Sequence, residues 1–210
     1  MPVVDYYETV TEPSTFPITL DETKNYLKIQ HSVEDDLLDG LIASSTNVLE
    51  NYLNRWFISR DAVGNFDTVQ FSRYETFPFI EVKKSPLNTV SLVQVRTGET
   101  FVDLTVDDDY MVKQNYGFDR VIFYSDLDTD YEYTYPIRIE FNAGFGTAAQ
   151  VPDAIKTAIK MYINFLYSNR GDCMPDCAAT GGRFAGTDYR MIPREISVLI
   201  DKYRIIRTFA

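Results

Sequence analysis

Residues 141–170 read FNAGFGTAAQVPDAIKTAIKMYINFLYSNR, and the fold turns on how this stretch is parsed. A strand runs out through Phe141. Ala143-Gly144-Phe145-Gly146 makes a flexible turn, and Val151-Pro152 opens a long helix. Proline at a first helical position gives up no hydrogen bond and brings its φ already set. Ile155, Ala158, Ile159, Tyr162, Ile163, Leu166 and Tyr167 recur at spacings of three and four, so they share one apolar face. Each large side chain buried there contributes about 1.5–3 kcal/mol. Gly171 marks the end of the helix. A core is expected on this helix, with the rest of the chain packed on it or inserted ahead of it.

Upstream, residues 1–16 read as a loose arm whose Tyr6, Tyr7 and Phe16 are available to dock on a neighbour. Thr19-Leu20-Asp21-Glu22 is a capping box: the Thr hydroxyl caps the helix and the Glu three residues on caps back. A short helix to about Leu27 is expected there. Ser32-Val33-Glu34-Asp35 is a second box, opening a helix from about Val33 to Asn54. Its stripe is Leu37, Leu38, Leu41, Ile42, Val48, Leu49, Tyr52 and Leu53. Glu34, Asp35, Asp36 and Asp39 fall in its first turns, where the helix dipole favours negative charge, so no metal is needed to explain them.

From Trp56 to Phe141 the pattern becomes β. Ala62–Phe71, Phe79–Val82, Thr89–Arg96, Phe101–Leu104, Tyr110–Lys113, Arg120–Tyr124 and Ile137–Phe141 are short and rich in Val, Ile, Phe and Tyr. Turn signals such as Ser85-Pro86 and Thr97-Gly98-Glu99 separate them. Short strands at this spacing predict a small antiparallel sandwich or open barrel. Downstream, Gly171–Arg190 is a long loop, and a last helix begins near Pro193 with Ile196, Leu199, Ile200 and Tyr203 on one face. The chain ends Arg204-Ile205-Ile206-Arg207-Thr208-Phe209-Ala210, apolar and basic together. These residues alone leave open a frayed terminus or an insertion peptide.

The net charge of −11 is unevenly placed. Residues 1–60 balance to −6, residues 61–150 to −8 and residues 151–210 to +3. An acidic body disfavours tight nonspecific binding to DNA, because phosphate contact needs Lys and Arg. A basic end suits an acidic protein surface. No run of 18 apolar residues predicts a membrane span, and the acidic start MPVVDYYETVTEP lacks the features of a signal peptide, so a cytoplasmic chain is expected. Cys173 and Cys177 are then expected as free thiols; a disulfide across so short a loop would constrain little, and a zinc half-site finds no further Cys or His nearby.

Catalytic patterns fail at named positions. The single His, His31, lies in a linker before a helix cap, and there is no Gly-x-Ser-x-Gly turn. Gly144-Phe145-Gly146 lacks the third glycine of a dinucleotide fingerprint, and no phosphate loop is present. Asp126, Asp128 and Asp130 imitate the start of a calcium loop, but Tyr131 stands where Gly is required and Ile137 where the bidentate Glu belongs. No catalytic residue, metal or cofactor is expected.

The order of segments resembles the head–tail connector (adaptor) proteins of long-tailed double-stranded DNA bacteriophages, a family also found in prophages and gene-transfer particles. Four stretches carry the resemblance. The first is Ile18-Thr19-Leu20-Asp21-Glu22-Thr23-Lys24-Asn25-Tyr26-Leu27, followed by Glu34-Asp35-Asp36-Leu37-Leu38 and Leu41-Ile42. The second is Ile80-Glu81-Val82-Lys83-Lys84-Ser85-Pro86-Leu87-Asn88-Thr89-Val90. The third and most specific is Ile139–Gly146 with Val151-Pro152, Ile155-Lys156, Ala158-Ile159 and Tyr167-Ser168-Asn169-Arg170. The fourth is the final helix ending Lys202-Tyr203-Arg204. Together they span about residues 17–204. The arm, the long loop with its cysteines and the tail beyond Arg204 depart from the family's pattern.

The resemblance implies an α+β fold, a small helical bundle with an inserted antiparallel β sandwich or open barrel. The expected divisions are an N-terminal arm (1–16), a helical core in two parts (17–55 and 149–203, with the long loop 171–190), an inserted β domain (56–148) and a C-terminal docking tail (204–210). It implies a non-enzymatic homo-oligomer, a dodecameric ring beneath the portal protein, with a stopper or tail-completion protein on its other face. Viral DNA would pass through the lumen without sequence-specific binding, and no membrane is involved. Arg204, Ile205, Ile206, Arg207 and Phe209 would dock on the portal, the Ile and Phe as apolar anchors and the Arg as charge partners. Two alternatives stand beside this: a stopper or tail-completion ring protein, and a glycan-binding or hydrolytic accessory protein using the β region.

Overall fold

The computed structural model describes residues 6–71, 77–114, 119–125, 127, 135–169 and 192–205. Among them are four α-helices and two antiparallel sheets, an α+β fold. They form two compact units. One holds the described residues of Phe16–Leu53 and Ala148–Arg204; the other holds those of Met1–Thr15, Asn54–Thr147 and Ile205–Ala210.

The first unit is helical: α1 (Leu20–Leu27), α2 (Asp35–Leu53), α3 (Asp153–Ser168) and α4 (Arg194–Ile200). The box at Thr19 forms in both directions, Glu22 N–H to Thr19 Oγ1 at 3.2 Å and Thr19 N–H to Glu22 Oε2 at 3.3 Å. The box expected at Ser32 gives way to a different contact. It is the Ser32 carbonyl that takes the Asp35 N–H, at 3.3 Å, and α2 starts at Asp35. Glu34 is instead engaged by the Tyr167 hydroxyl of α3, and Asp35 pairs with Lys24 of α1 at 2.7 Å. A tertiary partner has displaced the local cap.

On α3 the expected face is buried at Ile155, Ala158, Ile159, Tyr162 and Ile163, with Leu166 and Tyr167 half-buried. Pro152 precedes the helix rather than opening it. Its ψ of 137° is extended, and its carbonyl accepts from Ile155 and Lys156. The helix closes at Asn169, whose main-chain N–H and side-chain amide both donate to the Phe165 carbonyl; Gly171, expected to mark the end, lies outside the described residues. On α2 the stripe needs correction. Leu37 is exposed, while Ser45 and Thr46 are buried beside Leu38, Ile42, Leu49 and Leu53. Thr46 satisfies its hydroxyl on the Ile42 carbonyl at 2.7 Å, which lets a small polar residue sit inside the face.

The second unit is β. Strands β1 (Tyr6–Thr9), β2 (Arg60–Phe66), β8 (Ile137–Ala143), β4 (Leu87–Thr97) and β5 (Thr100–Leu104) lie in that order in one sheet. Strands β3 (Phe79–Val82), β7 (Asp119–Phe123) and β6 (Tyr110–Lys113) form the other. Ile137, Ile139, Phe141 and Ala143 alternate inward along β8, and Val93 and Val95 do so on β4. They share one core with Ile80, Val82, Val121 and Phe123 of the smaller sheet, which is the expected two-sheet packing.

The reading of residues 1–16 as a loose arm is corrected for Tyr6–Thr9. This segment pairs with β2, Tyr7 opposite Gly64. The Tyr7 ring meets Phe66 and Phe141 edge-on at 5.8 and 6.1 Å, and its hydroxyl accepts the Lys83 N–H at 3.1 Å. Gly64 leaves room for these rings, since a Cβ there would stand 2.7 Å from Phe66 Cε2. β2 also ends earlier than expected, at Phe66, with Gln70 forming an isolated bridge to Phe79.

Candidate functional site

The expected docking tail starts where α4 ends. In the helical unit, a 3-10 turn over Asp201–Tyr203 follows α4, and Arg204 leaves it in extended conformation. Tyr52, in the last turn of α2, donates its hydroxyl to Asp201 Oδ1 at 2.6 Å. The Arg204 guanidinium lies 4.6 Å from the centre of the Tyr52 ring, a cation–π contact. Burial raises the Tyr52 phenol above its ordinary value, and the hydrogen bond and negative charge of Asp201 add to the rise; the charge of Arg204 opposes it. Arg204 is thus used inside the chain, on an aromatic plane.

Within the β unit, Ile205 is 6% exposed. Its carbonyl accepts from Asn54 Nδ2 at 3.1 Å. Asn54 follows the last residue of α2 with φ of 54°, the left-handed conformation that Asn tolerates at a helix end. Ile205 was expected as an apolar anchor for a partner, yet its side chain is covered by this chain. Ile206, Arg207 and Phe209 lie outside the described residues, as do Cys173, Cys177, Asp126, Asp128, Asp130 and Tyr131. From sequence, Tyr52 was placed only in the apolar stripe of α2 and Asn54 only at its end, and Asp201 was not singled out. The one available signal was an Asn directly after an apolar helical stripe.

The turn in the deciding stretch is fixed rather than flexible. Gly144 and Gly146 have φ of 132° and 113°, conformations suited to glycine. Gly144 donates to the Pro86 carbonyl at 2.8 Å, and Ser59 donates to the Gly146 carbonyl at 2.9 Å. Asn88, where β4 slips register against β8, reaches the Gly144 carbonyl at 3.1 Å and Asn142 Oδ1 at 2.9 Å. Nearby, Asp119 is 3% exposed and takes the Leu87 N–H at 2.8 Å. Burial lowers the Arg55 guanidinium from its ordinary value, and the charge of Asp119 works against that. This polar knot joins β2, β4, β7 and β8 and accounts for its buried charges structurally.

No catalytic constellation emerges from these contacts. His31 is exposed in the linker between α1 and α2. Among the described residues, no group of three or more His, Cys, Asp or Glu could hold a metal ion, and no helix is long and apolar enough to cross a membrane.

Comparison with known proteins defines first a class. Chains of the same fold occur in the neck of an empty gene transfer agent particle solved with C6 symmetry (TM-score 0.69, 16% identity, 98% of each chain covered) and in the virion of a native gene transfer agent (0.68, 16%, 97% of each). Another comes from the neck of the native particle solved with C12 symmetry (0.56, 16%, 98% of each). No curated protein matches the chain. The family model described as "head completion protein" matches residues 17–206, and the chain belongs to that family. Its role is structural, in head–tail completion at the neck of the virion.

Proposed function

We propose that this chain is the head–tail adaptor of its particle: a ring beneath the portal, joining the DNA-filled head to a stopper or tail-completion protein and continuing the DNA channel. The observation that carries this reading is the family match across residues 17–206. Similarity over the full chain to proteins in neck assemblies of C6 and C12 symmetry supports a cyclic oligomer at the head–tail interface. The acidic body supports a lumen that lets DNA slide, because like charge repels phosphate. Titration of DNA against assembled rings tests that part, and tight binding at physiological salt would refute it.

In this reading the C-terminal segment docks on the portal. Asn54, Tyr52 and Asp201 root it, and the docking residues proper are Ile206, Arg207 and Phe209, with Ile205 and Arg204 fixing where they emerge. Deleting Ile206–Ala210 tests this. The expected result is a chain that folds as the parent does but fails to attach to portal-bearing heads. Normal attachment of the truncated chain would remove the tail from the interface.

A further inference from the structure

In the helical unit α3 packs on both α2 and α4, and α2 meets the end of α4 through Tyr52, which reaches Asp201 and Arg204. The two outer helices each present a ridge that this chain leaves uncovered. On α2, Leu37 is 44% exposed between exposed Asp36 and Asp39, and Val33, one turn earlier, is 88% exposed. On α4, Val198 is 67% exposed. Arg194, one turn before it, and Lys202, one turn after it in the 3-10 turn, are exposed as well, so the three line one side of the helix end. Glu195 is also exposed but lies about 100° round the helix from Arg194.

The helix dipole favours acids at the start of α2, but it does not call for Val33 and Leu37 beside them. Nearby charges are matched within the chain, Lys24 with Asp35 at 2.7 Å and Lys160 with Glu22 at 3.7 Å. Among the described residues Asp36 and Asp39 form no ion pair, and neither does Arg194. Lys202 lies over the ring of Tyr203, 4.8 Å from its centre. Arg194 stands at the first position of α4, where the dipole disfavours a cation, so the local rule does not account for it. One ridge is thus apolar with two uncompensated negative charges, and the other apolar with two positive ones. A two-fold contact centred on either ridge would set like charge on like. A heterologous contact sets the α2 ridge of one copy on the α4 ridge of the next, and repeats until the ring closes, with every copy using both ridges once.

We propose that Val33, Asp36, Leu37 and Asp39 of one copy dock on Arg194, Val198 and Lys202 of the next, as a subunit contact of the ring. This rests on the ring reading above. Cross-linking reads the contact directly. In a chain carrying Cys173→Ser and Cys177→Ser, adding Leu37→Cys with Val198→Cys should give, on mild oxidation of intact particles, a ladder of multiples of the chain. A mixture of chains carrying one substitution each should stop at pairs, and either substitution alone should stay single. Charge reversal is a second measurement, read by native mass spectrometry of neck complexes released from particles. Asp36→Lys with Asp39→Lys should cut the ring population about tenfold or more, because like charges then meet across the contact. Arg194→Glu with Lys202→Glu should do the same, and all four changes together should restore rings, which a merely misfolded chain would not do. Particles that show no cross-link although their necks hold the chain as a closed oligomer would overturn this contact and leave the ring reading standing. So would one-sided reversals that form rings normally, or a four-fold variant that folds as the parent does and stays monomeric. Leu37→Cys that cross-links to itself would also overturn it, by placing a two-fold axis there. An unmodified chain that is not a closed oligomer in the neck would remove the ring reading itself.

Discussion

Gly144→Ala should be among the most damaging single-methyl changes in the chain. At φ of 132° an L residue is strained, costing about 1–3 kcal/mol. The added Cβ would also stand 2.7 Å from Ile58 O, Ser59 N and Ser59 Cα. These are main-chain atoms, so relief requires moving the segment whose Ser59 N–H bonds to Gly146, and such overpacking costs about 1–3 kcal/mol. Restricting the unfolded chain returns about 0.4–1 kcal/mol. The net loss is about 1–5.5 kcal/mol, with a centre near 3. Gly64→Ala meets only ring atoms, Phe66 at 2.7 and 2.9 Å and Phe141 at 3.3 Å, so its loss should be smaller, about 1–2 kcal/mol. Gly40→Ala, inside α2 with nothing within 4 Å, should gain about 0.5–1 kcal/mol. Trp56 is the only tryptophan and stacks on Phe141 at 6.2 Å, so its fluorescence in a urea titration follows the β unit; far-UV circular dichroism follows α2. The reasoning requires the order Gly40→Ala above the parent, then Gly64→Ala, then Gly144→Ala. A Gly144→Ala chain that unfolds at the parent's midpoint with the parent's slope would refute it.

Two further outcomes are expected. Thr19→Ala removes the hydroxyl half of the capping box that opens α1 and should cost about 0.5–2 kcal/mol, read as a lowered helix melting temperature; Thr19→Asp should retain most of the stability. Tyr52, Tyr110 and Tyr162 all have phenols raised above the ordinary value of 10.0, in each case chiefly by burial. A raised phenol favours the neutral form in the folded state, so this contribution is complete below about pH 10 and is lost as pH climbs through the folded values. Ultraviolet titration should show the folded chain ionising fewer tyrosines near pH 10 than the chain in urea, and coincident curves would show that burial has no such effect.

Elements whose amphipathic period was clean were legible in the sequence, and their chemistry explains why. Phe79–Val82 and Tyr110–Lys113 have the strand bounds that their Val-, Ile-, Phe- and Tyr-rich composition between turn signals indicated, and α3 buries residues its 3.6 period placed inward. What escaped depended on partners distant in sequence. β1 carries no strong strand pattern of its own; Tyr7 is ordered by a space left at Gly64 and by rings at Phe66 and Phe141. The box at Ser32 satisfied a local rule, but Glu34 found Tyr167, 133 residues away. Leu37 matched the α2 stripe by residue type, while the packed face runs through Ser45 and Thr46.

The same distinction governs the tail. Read alone, Arg204-Ile205-Ile206-Arg207-Thr208-Phe209 is one basic and apolar run, and nothing local divides it. Its first two residues are held by this chain, and those after Ile205 lie outside the described residues. Arg204 is held on Tyr52, and Ile205 is buried with its carbonyl on Asn54. A segment rooted this way loses less conformational entropy on binding than one free from the end of α4, because its first residues are already ordered. If the tail docks as proposed, removing the root without touching Ile206, Arg207 or Phe209 should weaken attachment through entropy, with the contact surface itself unchanged. Asn54→Ala and Tyr52→Phe are the changes that separate these two contributions, since neither residue belongs to the tail.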